Sequence, residues 1–353
     1  MARAPLHIDE LHIQSFRGID DLRVRFPHEE DETGGVSVFA GDNGCGKTAV
    51  LEAVLLVLGK RDLLPEDSGP LDEQIAFGAD DFAIEAVVRE GDSAPTQVRV
   101  DNAILREGDP GLKFPSHDDR VRLAWSKIQA LDAKVQYFSA RREPEALGET
   151  PEARGARSMR EARRVVELKK RLVNTYYRSL KAGKDGKMPE DSPFNRLQTF
   201  VQRFLGQDRF LDVIAKNNEE GGDFEVVIRD GEMIPASVTS LAMARRLAAE
   251  GKPVPRLVPI DRLSSGQIEL FAFAGPLVFR DAPADIVIID EPEKHMHVQW
   301  QRHILTALRE LSPESHFIVA THSLDVLDSA LRGERFFLGR ADDPRVVADE
   351  AAE

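Results

Sequence analysis

Residues 41–48 read GDNGCGKT and fit the spacing G-x-x-x-x-G-K-[ST]. Glycines at 41, 44 and 46 allow backbone conformations closed to other residues. Successive N–H groups can then converge on phosphate oxygens at a helix N-terminus, where the helix dipole also favours anions. In such a loop Lys47 reaches the β- and γ-phosphates and the Thr48 hydroxyl ligates Mg²⁺. Gly41, Asp42, Asn43, Gly44, Cys45, Gly46, Lys47 and Thr48 therefore form the expected ATP-binding loop. A second chemical element is IVIIDE at 286–291, an apolar run that ends in two carboxylates. Adjacent acids at the end of a buried strand point to a metal site. Asp290 is expected to hold Mg²⁺ through water, and Glu291 to act as general base on the attacking water.

Both motifs need a strand that runs into a loop. GVSVFAG supplies one before the glycines, and TAVLEAVLLVLG supplies a largely buried helix after them, closed by Gly59. At the start of the chain LHIQSF and LRVRF alternate apolar and polar residues and predict a strand pair. FAIEAVVRE and TQVRVDNAILRE predict an antiparallel pair at the side, and AKVQYFSA (133–140) a further strand. Residues 141 to about 215 read as mostly helical, with Val165, Leu168, Leu172, Tyr176 and Leu180 forming an amphipathic stripe. DFEVVIRDGEMI returns to strand with Asp-Gly as a hairpin turn. From Asp261 the α/β pattern resumes: a helix after LSSGQ, the strand IVIID, the helix VQWQRHILTALREL, and the strand SHFIVATHS.

The chain has 353 residues, 42% hydrophobic and 31% charged, a balance that supports a substantial core. No apolar run approaches the ~18 residues that cross a bilayer. The first residues lack an apolar stretch of signal-peptide type, which points to the cytoplasm. A single cysteine excludes an internal disulfide. The net charge of -14 argues against indiscriminate coating of nucleic acid.

LSSGQ at 263–267 resembles the L-S-G-G-Q signature of ABC-type ATPases, with Ser265 in place of the first glycine. ATHS places His322 where that superfamily carries its switch histidine, and Gln136 falls where it carries the Q-loop glutamine, a Mg²⁺ contact. The order of phosphate loop, Q-loop, insertion, signature, acidic strand and histidine matches throughout. The resemblance implies an α/β P-loop NTPase: an ABC-type ATPase head with a mixed sheet, an antiparallel side sheet and a mainly helical insertion. It also implies a head-to-tail dimer, or a higher oligomer, that sandwiches two ATP molecules. Ser264, Ser265, Gly266 and Gln267 would meet the nucleotide of the other protomer. Glu291, His322 and Gln136 would be the catalytic set, with ATP and Mg²⁺ as cofactors.

Within the superfamily, IQSFRGIDDLRVRF resembles the F-[RK]-[GNS] opening of SMC, RecF and OLD-type ATPases, in which Arg17 would approach a phosphate. DEPEKHMHVQWQ resembles their D-E-P-E-x-x-L-H-P-x-x-Q run, with Met296 for leucine and Val298 for proline. The resemblance covers about residues 6–140 and 257–340 and is closest to stand-alone OLD-like ATPases, without a Toprim nuclease domain. It predicts an ATPase lobe at 1–140, a mainly helical insertion at 141–256, a second ATPase stretch at 257–340 and an acidic tail at 341–353. ATPases of this branch work with a separate effector, often a nuclease, in bacterial anti-phage defence. A RecF-like repair ATPase, a transporter nucleotide-binding subunit and a non-hydrolysing ATP-bound scaffold are the alternatives.

From Arg154 to Lys187 there are twelve Lys/Arg against three acids, a formal charge of about +9 inside an acidic chain. Such a segment can bind DNA or RNA, dock an acidic partner, or simply be a solvated helix face. Arg141, Arg142, Arg163, Arg164, Lys169, Lys170 and Arg171 are the nucleic-acid candidates. His295, His297 and His303 lack the spacing of a zinc site. Cys45 is either a small residue that fits the loop or a thiol whose oxidation would block ATP binding.

Overall fold

The computed structural model describes residues 4–27, 35–65, 68–107, 118–140, 151–183, 187–216, 223–231, 238, 240–279, 283–294 and 296–339. The chain divides into two compact units. The first comprises Met1–Arg142, Pro283–Lys294 and Pro313–Glu353, and the second Glu143–Ala282 and His295–Ser312. The segment 263–267 thus folds with the second unit.

The first unit contains two sheets. The antiparallel one is built from β1 (Leu6–Phe16), β2 (Ile19–Arg25), β4 (Ala83–Glu90) and β5 (Thr96–Asp101), in the order β2-β1-β4-β5. Its core face carries Leu6, Ile8, Leu11, Ile13 and Phe16 of β1, all buried. The spacing of three between Ile8 and Leu11 would turn Leu11 to the other face of a regular strand. A register shift between Ile8 and Glu10 absorbs the extra residue there, and Ser15, at φ +51, turns the chain again before Phe16. The second sheet joins β3 (Val36–Ala40), β6 (Val135–Phe138), β10 (Ile286–Asp290), β11 (His316–Thr321) and β12 (Arg335–Phe337) in the order β12-β3-β11-β10-β6, all pairs parallel. Its three central strands are buried along their whole length. They therefore read as continuous apolar runs rather than alternating ones.

Helix α1 (Lys47–Val57) touches strands of both sheets. That position explains why all its residues but Thr48 are buried. Helices α2 (Asn102–Glu107) and α3 (Asp119–Leu131) complete this side, and α10 (Leu324–Asp328) follows β11. The run TQVRVDNAILRE does not continue as strand to residue 107. It stops at Asp101, whose carboxylate accepts the Ile104 N–H at 2.9 Å and opens α2. Helix α3 is capped by Asp118, whose side chain accepts the Arg120 N–H, and buries Val121, Ile128 and Leu131.

In the second unit a three-stranded antiparallel sheet runs β7 (Arg209–Ala215), β8 (Phe224–Asp230), β9 (Leu257–Pro259). The expectation of helix up to about 215 fails at RFLDVIA, where the β-branched and aromatic residues pair with β8. Strand β8 ends at Asp230, as the Asp-Gly pair predicts, but its partners are β7 and β9. The other half of the expected hairpin, 232–237, lies outside the described residues. Around the sheet are α4 (Pro151–Ala182), α5 (Pro193–Leu205), α6 (Leu241–Ala249), α7 (Ser265–Val278), α8 (Val298–Gln301) and α9 (Ile304–Leu311). Leu172 of the α4 stripe is fully buried, with Leu168, Tyr176 and Leu180 partly so. The helix predicted across 298–311 breaks at Arg302–His303. Among the described residues, no helix is long and apolar enough to cross a membrane.

Candidate functional site

The C-terminal ends of β3, β10 and β11 bring three segments of the first unit together, the place where parallel α/β sheets carry their ligands. The glycine loop leaves β3. Gly41 has φ +151, and a Cβ there would collide with the Leu338 carbonyl oxygen and the Cys45 sulfur. Gly46, at φ +101, precedes α1 and offers no side-chain cap. The first N–H groups of a helix have no intrahelical partner, so this end of α1 keeps donors for an anion. The Lys47 Nζ donates to the carbonyls of Gly41 (2.9 Å) and Asp42 (2.8 Å) and lies 3.6 Å from the Cys45 sulfur. The ammonium thus sits within the ring formed by its own loop.

One residue further on, the Thr48 Oγ1 donates to Asp290 Oδ2 at 3.1 Å. Asp290 is the buried last residue of β10. The chain then turns sharply: Glu291 adopts φ +51, and its N–H donates to the Ala320 carbonyl at 2.8 Å. This turn leaves the Glu291 side chain partly exposed, with Oε1 3.6 Å from Nε2 of His322 at the end of β11. Thr48, Asp290, Glu291 and His322 are therefore brought together.

Other residues stand differently. Gln136 pairs in register with Val287, three residues before Asp290, and its Nε2 donates to the Tyr137 carbonyl at 3.4 Å. At ~3.3 Å per residue the ladder sets it back from the level of the acids. Arg17, at φ +54, gives its guanidinium to Gln74 Oε1 (2.5 Å), to the Ser68 carbonyl (2.9 Å) and to the carboxylate of Glu52 (2.8 Å). Sequence reasoning missed Glu52, the one acid in the apolar run TAVLEAVLLVL, whose isolation there is a readable signal of a buried partner. It also missed Tyr137, next to Gln136 on β6. Burial, and after it the Asp290 carboxylate, holds that phenol well above its usual range and keeps it protonated.

In the second unit, Ser264 caps α7. Its Oγ accepts the Gln267 N–H and its own N–H donates to Gln267 Oε1, a reciprocal capping box with Ser265 and Gly266 between. The spacing S-x-x-Q before an apolar run was a legible sign of this helix start. His297 caps α8 through Nδ1, which accepts from the Gln299 N–H, and His303 precedes α9. His295 lies outside the described residues. Among the described residues no group of three His, Cys, Asp or Glu could hold a metal.

Of the basic candidates, Arg141 and Arg142 lie outside the described residues, as do the side chains of Arg163 and Arg164 on α4. Lys169 is turned inward between Glu225 (2.6 Å) and Asp261 (2.8 Å). Burial would lower its pKa, but hydrogen bonds to Asp261 and Glu225 outweigh that and leave it raised, so it stays charged. Arg171 pairs with Glu167 one helical turn away at 3.0 Å, and Lys170 is exposed.

The residues fit the groups that the motifs imply. Gly41, Gly44 and Gly46 all adopt positive φ, the backbone turn by which successive N–H groups can converge on an anion. Thr48 Oγ1 and Asp290 Oδ2 are hard oxygen donors of the kind Mg²⁺ prefers.

A family model described as "AAA domain, putative AbiEii toxin, Type IV TA system" matches residues 36–328. A Septu protein PtuA of Bacillus thuringiensis is 23% identical over 368 aligned residues, covering 97% of this chain and 78% of that protein. Among solved structures, an SMC head bound to the C-terminal winged-helix domain of ScpA aligns with a TM-score of 0.46 at 16% identity, covering 92% of each chain. The recombination mediator RecF aligns with a TM-score of 0.41 at 17% identity, over 92% of this chain and 95% of that one. The SMC head of Thermotoga maritima aligns with a TM-score of 0.42 at 16% identity over 92% of each.

Proposed function

The chain belongs to this AAA-domain family, and on that premise we propose that it is a Mg²⁺-dependent ATPase that closes into a head-to-tail dimer on binding ATP. The observation that carries the reading is the 3.1 Å contact of Thr48 with Asp290, with Glu291 and His322 immediately beside it. The loop 41–48 would take the triphosphate on its N–H groups, and Lys47 would leave the Gly41 and Asp42 carbonyls for the phosphates. Thr48 and Asp290 would hold Mg²⁺, which neutralises charge on the phosphate oxygens when bound. Glu291, the exposed carboxylate of the pair, would accept the proton of the attacking water, with His322 holding it in place. Ser264, Ser265, Gly266 and Gln267, at the start of α7, would face the γ-phosphate of the second copy. The first N–H groups of that helix suit an anion.

Binding two ATP molecules would favour the closed dimer, and hydrolysis would release it. We place this cycle in a bacterial defence setting with a separate effector, often a nuclease in similar systems. The family's description, "putative AbiEii toxin, Type IV TA system", and the similarity to a Septu protein PtuA support that setting. The exposed basic residues of α4 would contact DNA or RNA.

Light scattering of Glu291→Gln tests the dimer. With Mg-ATP it should give twice the 39.3 kDa of the chain, and without nucleotide the single mass. The same mass under both conditions would count against nucleotide-driven closure.

A further inference from the structure

Two residues after Glu291 the chain carries a further carboxylate, Glu293. Residues 291–294 form a tight turn closed by the Lys294 N–H donating to the Glu291 carbonyl at 3.1 Å. Pro292 occupies its second position, where a fixed φ favours the turn. The turn fixes Glu293 relative to Glu291 and aims it at β11. One oxygen of Glu293 accepts the Thr321 Oγ1–H at 2.7 Å, and the other accepts the His322 N–H at 2.7 Å. Thr321 is fully buried, and its hydroxyl oxygen accepts in turn from the Ser323 N–H at 3.0 Å. Glu293 therefore grips both sides of the peptide that leads from β11 into the histidine.

We infer that Glu293 is a positioning residue that sets the backbone of His322, so that its imidazole stands against Glu291. The inference rests on the ATPase reading above. Charge-assisted hydrogen bonds of this kind are about twice as strong as neutral ones. Their loss would leave the His322 N–H unsatisfied or turned elsewhere. The carboxylate reaches neither the glycine loop nor Thr48 through any hydrogen bond among the described residues, so its removal should spare nucleotide affinity.

The test combines ATP turnover, ATP affinity and hydrogen exchange of the segment 321–327 in the full chain. Glu293→Ala should lower turnover by about 10- to 100-fold, leave the Kd for ATP within about threefold, and speed exchange at 321–327. Glu293→Gln, whose amide oxygen can still accept from the His322 N–H, should recover most of the rate. In a His322→Ala background Glu293→Ala should change turnover by less than about threefold. Thr321→Val removes one of the two donors with little change of shape and should reproduce the pattern more weakly, should Glu293→Ala fail to fold. Unchanged turnover in Glu293→Ala, or a loss that multiplies in full with that of His322→Ala, would overturn the inference. If the unmodified chain turns over no ATP, the ATPase reading falls by itself. Exchange then decides: faster exchange in Glu293→Ala upholds the positioning role, and unchanged exchange refutes it.

Discussion

Thr48 and Asp290 lie 242 positions apart in the chain and meet through a 3.1 Å hydrogen bond from the threonine hydroxyl to the carboxylate. Each is a modest ligand alone. Together, at the start of α1 and the end of β10, they would supply two of the six oxygens of an octahedral Mg²⁺ shell. Asp290→Asn should raise the Mg²⁺ concentration needed for nucleotide to stabilise the chain by about tenfold or more. Thermal unfolding titrated with Mg²⁺ at fixed ATP reads that shift.

Lys47 has its ammonium on the Gly41 and Asp42 carbonyls. Lys47→Ala removes the loop's only cation and should weaken ATP binding by about 100-fold in calorimetry. Lys47→Arg should not rescue it, because a guanidinium is too large for two carbonyls of one tight loop.

Arg17 and Glu52 form an ion pair whose carboxylate side chain is only 3% exposed. Removing the arginine leaves that charge buried, at a cost of about 3 kcal/mol. Arg17→Ala should therefore lower the denaturation midpoint in the absence of nucleotide, and Glu52→Gln should restore part of the loss. An Arg17→Ala chain that keeps its midpoint and loses only ATP affinity would place the side chain on phosphate instead.

On α4 the basic residues divide by their surroundings. Lys169 is held by Glu225 and Asp261, so Lys169→Ala should reduce stability and leave nucleic-acid retention nearly unchanged. Lys170→Glu should leave stability unchanged and weaken retention, lowering the salt slope by about one. Binding of labelled duplex and single-stranded probes across a salt series distinguishes the two.

What the sequence made legible was local. The alternation of β1, the apolar runs of β3 and β10 and the glycine spacing each carry their structure within a dozen residues. So does the S-x-x-Q start of α7. The rest depends on partners far along the chain. RFLDVIA is a strand because β8 lies beside it, and no periodicity in seven residues announces that. The position of Gln136 depends on its register with β10, which pairs it with Val287. Nothing near Glu293 says that its acceptors will meet Thr321 and His322. Tyr137 is charge-silent in the sequence and becomes relevant only through burial beside Asp290.

The most direct test of the central claim is steady-state phosphate release from Mg-ATP by the unmodified chain and by Glu291→Gln, each with its ATP affinity measured in parallel. The account predicts turnover by the first, a loss of about 100-fold or more in the second, and equal affinity in both. Equal rates of release from the two proteins would contradict it.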